Sequence, residues 1–383
     1  MRISFYCQHV LGVGHLHRSL EICRLLAEKH EVTLILGGPE TSLAPSPFSL
    51  LTLPGLQMDR DFKNLTPCET GLSLKQVKKT RKERLLSHFK AYRPQVFITE
   101  LYPFGRKAFR FELDPILTGV QDGTLPPCRL YSSVRDILVE KTEGKKKFAD
   151  RVIETLNTYY DGVLIHADPK IITLDRTFKR LNEVVIPLEY TGFICPPRPD
   201  PSSAREKIRK KLNLKENTPL IVASIGGGGV GEKLLEAVMA ACSLLSGQMD
   251  FFLQIFTGPF SSRSLQTKLR AGQTNHVRVE TFTDVFPAWL EAADLSISMA
   301  GYNSCMNMLR AGIPALAHPF DQNREQKMRI LALEPYSAIR LLEEKDLAPE
   351  KLQLKIEKML DSQKRHTDIN LDGARRTAEL FEK

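Results

Sequence analysis

The chain has 383 residues, with 54 Lys and Arg against 45 Asp and Glu, for a formal net charge of +9. That length suits two domains with a core each, and 42% hydrophobic with 26% charged residues excludes a disordered chain. No apolar run approaches the roughly eighteen residues of a membrane span, and seven scattered cysteines without a Cys-x-x-Cys pair exclude a disulfide or zinc framework.

From the N-terminus, strand and helix signals alternate. Residues 2–7 read as a core strand that follows Met1 directly, leaving no secretory leader, so a cytoplasmic setting with reduced thiols is expected. Residues 17–29 form an amphipathic helix, 31–36 a second strand closed by Gly37-Gly38-Pro39, and 44–67 a proline-rich irregular excursion. A basic helix over 75–92 must end before Arg93-Pro94, and 95–99 is the next strand. Residues 129–134, 162–166 and 184–190 supply further strands around a helix at 145–159. Strands separated by helices predict βαβ units and a parallel sheet.

Cys195-Pro196-Pro197-Arg198-Pro199-Asp200-Pro201 breaks the pattern as a stiff linker. Strands then recur at 220–225, 251–256, 277–281, 295–298, 315–318 and 338–342, and polar-rich helices at 349–360 and 371–381 close the chain. The expected division is an α/β domain over 1–195, a linker region over 196–218, a second α/β domain over 219–348, and terminal helices over 349–383 that cross back to the first domain.

Charge clusters at Lys75, Lys78, Lys79, Arg81 and Lys82, at Lys145-Lys146-Lys147 and at 205–211 read as solvated helix faces. The alternative is attraction to anionic substrates or to the anionic face of a membrane. No helix-turn-helix, zinc-finger or aromatic stacking motif accompanies them, which argues against nucleic acid.

Chemistry concentrates in the loops that follow strands. Gly12-Val13-Gly14 carries His17 where a dinucleotide fingerprint needs its third glycine, and the second strand lacks the terminal acid, so a nicotinamide or flavin site is disfavoured. Gly226-Gly227-Gly228-Gly229-Val230-Gly231 has phosphate-loop spacing but Glu232 where the lysine belongs. What survives is a run of unobstructed backbone N–H groups at a helix start, which fits a phosphate or diphosphate; a tight turn is the plainer alternative. Ala300-Gly301-Tyr302-Asn303-Ser304 opens another helix, with Asn303 or Ser304 as its cap, and Arg324-Glu325-Gln326 opens a further one. Asp59-Arg60-Asp61 imitates a metal-binding Asp-x-Asp inside the irregular excursion, and no metal site is expected.

In order, Leu11-Gly12-Val13-Gly14-His15-Leu16-His17-Arg18, Tyr102-Pro103-Phe104-Gly105, Val134-Arg135-Asp136, Tyr190-Thr191-Gly192-Phe193, Thr257-Gly258-Pro259-Phe260, Gly301-Tyr302-Asn303-Ser304 and Arg324-Glu325-Gln326 resemble the family 28-like glycosyltransferases. Within these MurG-like sequences, the chain is most similar to a bacterial group of predicted glycosyltransferases. The resemblance implies the GT-B architecture, two Rossmann-like α/β domains facing a cleft. It implies an inverting, metal-independent transfer from a nucleotide-sugar donor, UDP-linked, to an acceptor that is a glycan, a lipid-linked or a small molecule.

The same resemblance places Gly226, Gly227, Gly228 and Gly229 by the diphosphate, the backbone around Phe282 by the base, Gly301, Asn303 and Ser304 by the phosphates, and Glu325 and Gln326 by the sugar hydroxyls. Gly14 belongs to the first loop, and Arg18 with Arg324 would help neutralise the diphosphate. The family's ribose-binding glutamate is matched here by Asn307, which puts uridine selectivity in question. His15, at the start of the first helix, is the candidate general base, with helix capping as the alternative reading and Glu100 and Asp136 as substitutes for the base. A nucleotide-sugar hydrolase, matched through Gly14-His15-Leu16-His17-Arg18, and a non-catalytic sugar-nucleotide binder are the competing functions.

Overall fold

The computed structural model describes residues 1–9, 14–40, 45–58, 64–140, 143–320 and 324–382. Gly12 and Val13 of the first loop and Asp59-Arg60-Asp61 lie outside them. The chain divides into two compact units, residues 1–194 with 370–383, and residues 195–369.

The first unit is built on a parallel sheet. Among the described residues its strands are β1 (Arg2–Tyr6), β2 (Glu31–Leu36), β3 (Ser49–Thr52), β6 (Val96–Glu100), β7 (Arg129–Arg135), β8 (Gly162–His166) and β9 (Leu188–Tyr190), in the order β3-β2-β1-β6-β7-β8-β9. Two short strands, β4 (Leu56–Met58) and β5 (Leu65–Pro67), form an antiparallel hairpin apart from it. The expected irregular excursion at 44–67 therefore contains three strands, too short to show a period in the sequence. Strands β6 and β8 are buried along their whole length, as expected of a parallel sheet covered on both faces.

The first helix spans Gly14–Leu26, three residues earlier at its start than its apolar period suggested. The basic helix Leu74–Tyr92 is capped by Ser73, whose Oγ accepts from Gln76 N while the Gln76 side chain accepts from Ser73 N. Its Arg81 is fully buried, against the expectation of a solvated face. Arg81 donates to both carboxylate oxygens of Glu112, to Gln8 Oε1 at 2.8 Å, and to the carbonyls of Gly37 at 2.8 Å and Pro54 at 2.7 Å. A fixed planar fork of donors can satisfy that many acceptors at once, which makes the burial affordable. Helix Arg110–Gln121, which supplies Glu112, was hidden in the sequence by Pro115 in its interior.

The second unit carries β10 (Leu220–Ser224), β11 (Phe252–Phe256), β12 (Val277–Glu280), β13 (Leu295–Met299), β14 (Ala315–His318) and β15 (Ile339–Leu341), all parallel, in the order β12-β11-β10-β13-β14-β15. Helix Glu232–Leu245 places Leu234, Leu235, Val238, Ala241, Cys242 and Leu245 on one face, and all six are buried in the core with Leu352, Ile356 and Met359 of helix Pro349–Leu360. The stretch expected as linker, 196–218, contains helix Pro201–Lys211, with Asp200 as cap and Pro201 in its first turn. Within that basic cluster Arg209 is buried and donates to the carbonyls of Lys215, Glu216 and Thr218, so it too leaves the solvated face.

The end of the chain returns to the first unit. Helix Gly373–Glu379 packs on Gly14–Leu26, Phe193 N donates to Asn370 O at 2.8 Å, and Asn370 N donates to Asp168 Oδ2 at 3.0 Å. A Cβ on Gly373 would sit 2.1 Å from the Gly192 carbonyl oxygen, so the backbones approach as closely as only glycine permits.

Candidate active site

In an open parallel sheet, loops diverge to opposite faces where the strand order reverses, and that point is the usual ligand crevice. In the first unit the reversal falls between β1 and β6. The first helix follows β1, and Glu100 is the last residue of β6. His15 and Glu100, 85 residues apart, meet there: His15 Nδ1 lies 2.6 Å from Glu100 Oε1.

Glu100 is fully buried. Burial alone would raise its pKa, but His15, Arg106 and Arg18 outweigh burial and hold the carboxyl well below the usual range. An ionised carboxylate carries no proton, so the hydrogen between the two groups belongs to His15 Nδ1. That assignment leaves Nε2 as the bare nitrogen. Arg18 Nη2 sits 2.5 Å from the same Oε1 and 3.2 Å from His15 Nδ1; since Nδ1 is a donor, of these two groups Arg18 donates to the carboxylate. Arg106 Nη2 approaches the other oxygen, Oε2, at 3.4 Å.

Burial lowers the His15 pKa to about 4; Glu100 opposes the shift, and Arg106 and Arg18 reinforce it. The ring is therefore neutral at physiological pH, with about a quarter of its side-chain surface exposed. Burial also raises the Cys7 thiol, which feels the charge of Glu100, to about 12, which leaves it uncharged. His166 at the end of β8 is buried between Ser133 Oγ at 2.7 Å and Thr191 Oγ1 at 2.8 Å, and burial lowers its pKa to about 3. Arg18, expected from the sequence near the diphosphate, is nearly fully buried and pairs with Glu100. Gly14 is exposed at the head of its helix, and Asp136, the other substitute base, is fully buried just after β7.

In the second unit the strand order reverses between β10 and β13, and the two glycine-centred loops follow those two strands. Gly226 and Gly228 have φ of +62° and +87°. A Cβ on Gly228 would lie 2.6 Å from both Ser261 N and Thr257 O, and one on Gly258, at φ +81°, would lie 2.4 Å from Gly226 O. The loops after β10 and β11 thus lock backbone to backbone, and Phe260 N closes them by donating to Gly227 O at 2.8 Å. Gly229 has open space where a Cβ would stand. Two of the four glycines therefore answer to the fold, and Gly229 does not.

Helix Tyr302–Ala311 has Gly301, not Asn303 or Ser304, at its cap position, with no side-chain cap bond. Asn303 and Ser304 fall in its first turn, half-buried, and Asn307 lies one turn further on, its Oδ1 3.8 Å from Cys195 Sγ. Capping was misjudged because a glycine N-cap has no side chain to announce it. Phe282, just past β12, is largely exposed, and the neighbouring Thr281 O accepts from Gly258 N at 2.8 Å. After β14, Glu325 is buried and Gln326 Oε1 accepts from Phe320 N at 2.9 Å. The structure thus gathers Gly226 to Gly229, Phe282, Gly301, Asn303 and Ser304 at the carboxyl edge of one sheet, and His15 and Arg18 with Glu100 at that of the other.

Residues 222–379 match the family model described as glycosyltransferase family 28 C-terminal domain. Over that stretch the chain resembles family 28 glycosyltransferases, and as a whole it shares the GT-B glycosyltransferase fold. It is 27% identical over 189 residues to the UDP-N-acetylglucosamine--N-acetylmuramyl-(pentapeptide) pyrophosphoryl-undecaprenol N-acetylglucosamine transferase of Caldicellulosiruptor saccharolyticus, a match spanning 48% of this chain and 49% of that one. The chain thus spans about half the length of that relative. An uncharacterized glycosyltransferase of Methanosarcina mazei is 24% identical over 97% of this chain and 96% of its own. The crystal structure of MurG from Acinetobacter baumannii superposes with a TM-score of 0.56 at 12% identity, over 99% of this chain and 94% of that one, a likeness of fold.

One further site residue, Arg106, escaped sequence reasoning, and the contact made by another, Glu100, did too. Arg106 follows the matched Tyr102-Pro103-Phe104-Gly105 and nothing in its spacing marks it, and Glu100 was named only as a substitute base, with no sign of its contact with His15.

Proposed function

We propose that this chain transfers a sugar from a nucleoside diphosphate to an acceptor hydroxyl with inversion and without a metal ion. The observation that carries the reading is the His15–Glu100 pair, whose protonated Nδ1 leaves Nε2 able to accept a proton. The acceptor oxygen attacks the anomeric carbon as its proton passes to Nε2, and the bond to the diphosphate breaks with its electron pair leaving on phosphate oxygen. Glu100 steadies the imidazolium as it forms, and a single displacement inverts the anomeric centre.

The donor would lie along the carboxyl edge of the second sheet. Backbone N–H groups of the Gly226–Gly229 loop and of the first turn of helix Tyr302–Ala311 would face the diphosphate, neutralising it as helix N-termini do. Phe282 would lie by the base, Asn307 by the ribose, and Glu325 and Gln326 by the sugar. Uridine is the first base to try, since the Caldicellulosiruptor relative is named as a UDP-N-acetylglucosamine transferase. Its name also makes a lipid-linked acceptor the first class to try, and the exposed Lys75, Lys79 and Lys82 suit an anionic membrane face. No helix among the described residues is long and apolar enough to cross a membrane.

The test is a thermal-shift screen of nucleotide sugars followed by turnover assays with and without candidate acceptors. Stabilisation by one nucleotide sugar and acceptor-dependent release of nucleoside diphosphate support transfer. Equal release with no acceptor replaces transfer by hydrolysis, and binding without turnover in any mixture removes catalysis.

A further inference from the structure

Arg106 stands out among the cations of the first unit. It follows Gly105 in the loop after β6, in the left-handed region at φ 56°, a few residues beyond Leu101 at φ 65°. Its side chain is about nine-tenths buried, yet among the described residues its one ion pair is the 3.4 Å approach to Glu100 Oε2. Its Nε is buried and has no hydrogen-bond partner among the described residues. Burying guanidinium donors is costly unless close partners replace their water, and among the described residues this side chain has one loose contact in exchange. Arg81, fully buried in the same unit, shows what a satisfied guanidinium looks like, with every nitrogen bonded.

The charge count around Glu100 is also incomplete. Arg18 and Arg106 contribute two positive charges, Glu100 one negative, and His15 and Cys7 none. Among these five groups positive charge exceeds negative by one, and Arg106 is the cation whose Nε has no hydrogen-bond partner among the described residues.

We propose that Arg106 binds an anionic group of the acceptor, a phosphate or carboxylate set close to the reacting hydroxyl, and so selects anionic acceptors. The proposal rests on the reading of His15 as the base, and it adds a coupling to it. The field of Arg106 opposes protonation of His15, so an anion seated on Arg106 raises the basicity of Nε2 when the acceptor is in place. A neutral acceptor of the same shape would meet a weaker base.

The probe is inorganic phosphate, read through the His15 ring nitrogens by NMR in the full chain, with binding of uridine diphosphate followed in parallel. In the wild type, phosphate should shift the His15 signals saturably and raise the ring's pKa. Arg106→Gln should weaken that response at least tenfold, Arg106→Lys should restore part of it, and both should bind uridine diphosphate as the wild type does. A His15 response that is absent in the wild type, or within twofold of wild type in Arg106→Gln, overturns the proposal. Uridine diphosphate binding is a separate readout, so its absence would count against the donor reading and leave the Arg106 result standing.

Discussion

His15 Nδ1 and Glu100 Oε1 lie 2.6 Å apart, and this contact joins the first helix to the end of β6 where the order of the first sheet reverses. It fixes which ring nitrogen is free. The His15 reading is therefore open to a direct trial: His15→Ala and His15→Asn should each lower turnover by about two to four orders of magnitude while donor affinity holds. Asparagine is a good helix cap but no base near neutral pH. An active asparagine variant would reduce His15 to a capping residue.

Glu100→Ala should cost about 3–5 kcal/mol of stability, because it strands Arg18 and Arg106 in the interior without their shared counter-charge. Glu100→Gln keeps the shape, and it should lower kcat more than it raises KM, since the lost charge acts mainly on the imidazolium. Urea unfolding of both variants with steady-state kinetics of the second checks this. A Glu100→Ala protein as stable as the wild type would contradict it.

Stability should decline as pH falls from about 6.5 towards 4. Burial lowers the pKa of His15 and His88 from 6.5 to about 4, and that of His166 to about 3. In this window the unfolded chain takes up protons that the folded one refuses, so falling pH favours unfolding. Glu100, held low in the fold, adds a loss of the same sign at still lower pH. Urea midpoints at pH 7 and pH 4.5 should differ, and His88→Asn should flatten the slope. Identical midpoints would show that these rings titrate normally.

The glycine loop permits a cleaner separation of fold from ligand. Gly228→Ala should destabilise the second unit by more than 1 kcal/mol, roughly, through its left-handed φ and the contacts with Ser261 N and Thr257 O. Gly229→Ala should leave the melting temperature within a degree or two, roughly, because open space surrounds the new methyl. If a diphosphate rests on this loop, that silent substitution should still weaken nucleotide binding. Unchanged affinity would move the diphosphate elsewhere.

Arg81→Met should remove roughly 3–5 kcal/mol of stability, as one half of the buried pair with Glu112. The double variant Arg81→Met, Glu112→Leu should recover much of that loss. Chemical denaturation of the four proteins gives the coupling directly, and simple additivity would mean the pair is not what holds helix Leu74–Tyr92 in place.

What the sequence made legible was whatever is local. Strand and helix periods located both sheets, and loops after strands pointed to His15 and to Gly226–Gly229. The pairing of His15 with Glu100 spans 85 residues and depends on β1 and β6 becoming neighbours, which no local pattern encodes. Arg81 and Arg209 were misjudged for a related reason. A lysine-rich helix reads as wet, and only the acceptors brought by distant segments, Glu112 and Gly37 in one case, reveal that one of its cations points inward. The pairing of Arg18 with Glu100, 82 residues apart, was hidden for the same reason.

The return of residues 370–382 to the first unit bears on the order in which the protein is made. Leaving the ribosome, the first 194 residues lack Asn370, Gly373 and Phe381, which pairs edge to face with Tyr131 at 5.0 Å between ring centroids. The helix carrying His15 also lacks its neighbour, Gly373–Glu379. The second unit, continuous from 195 to 369, can settle as soon as it emerges, whereas the unit holding His15 stays unfinished until residues 370–382 are synthesised.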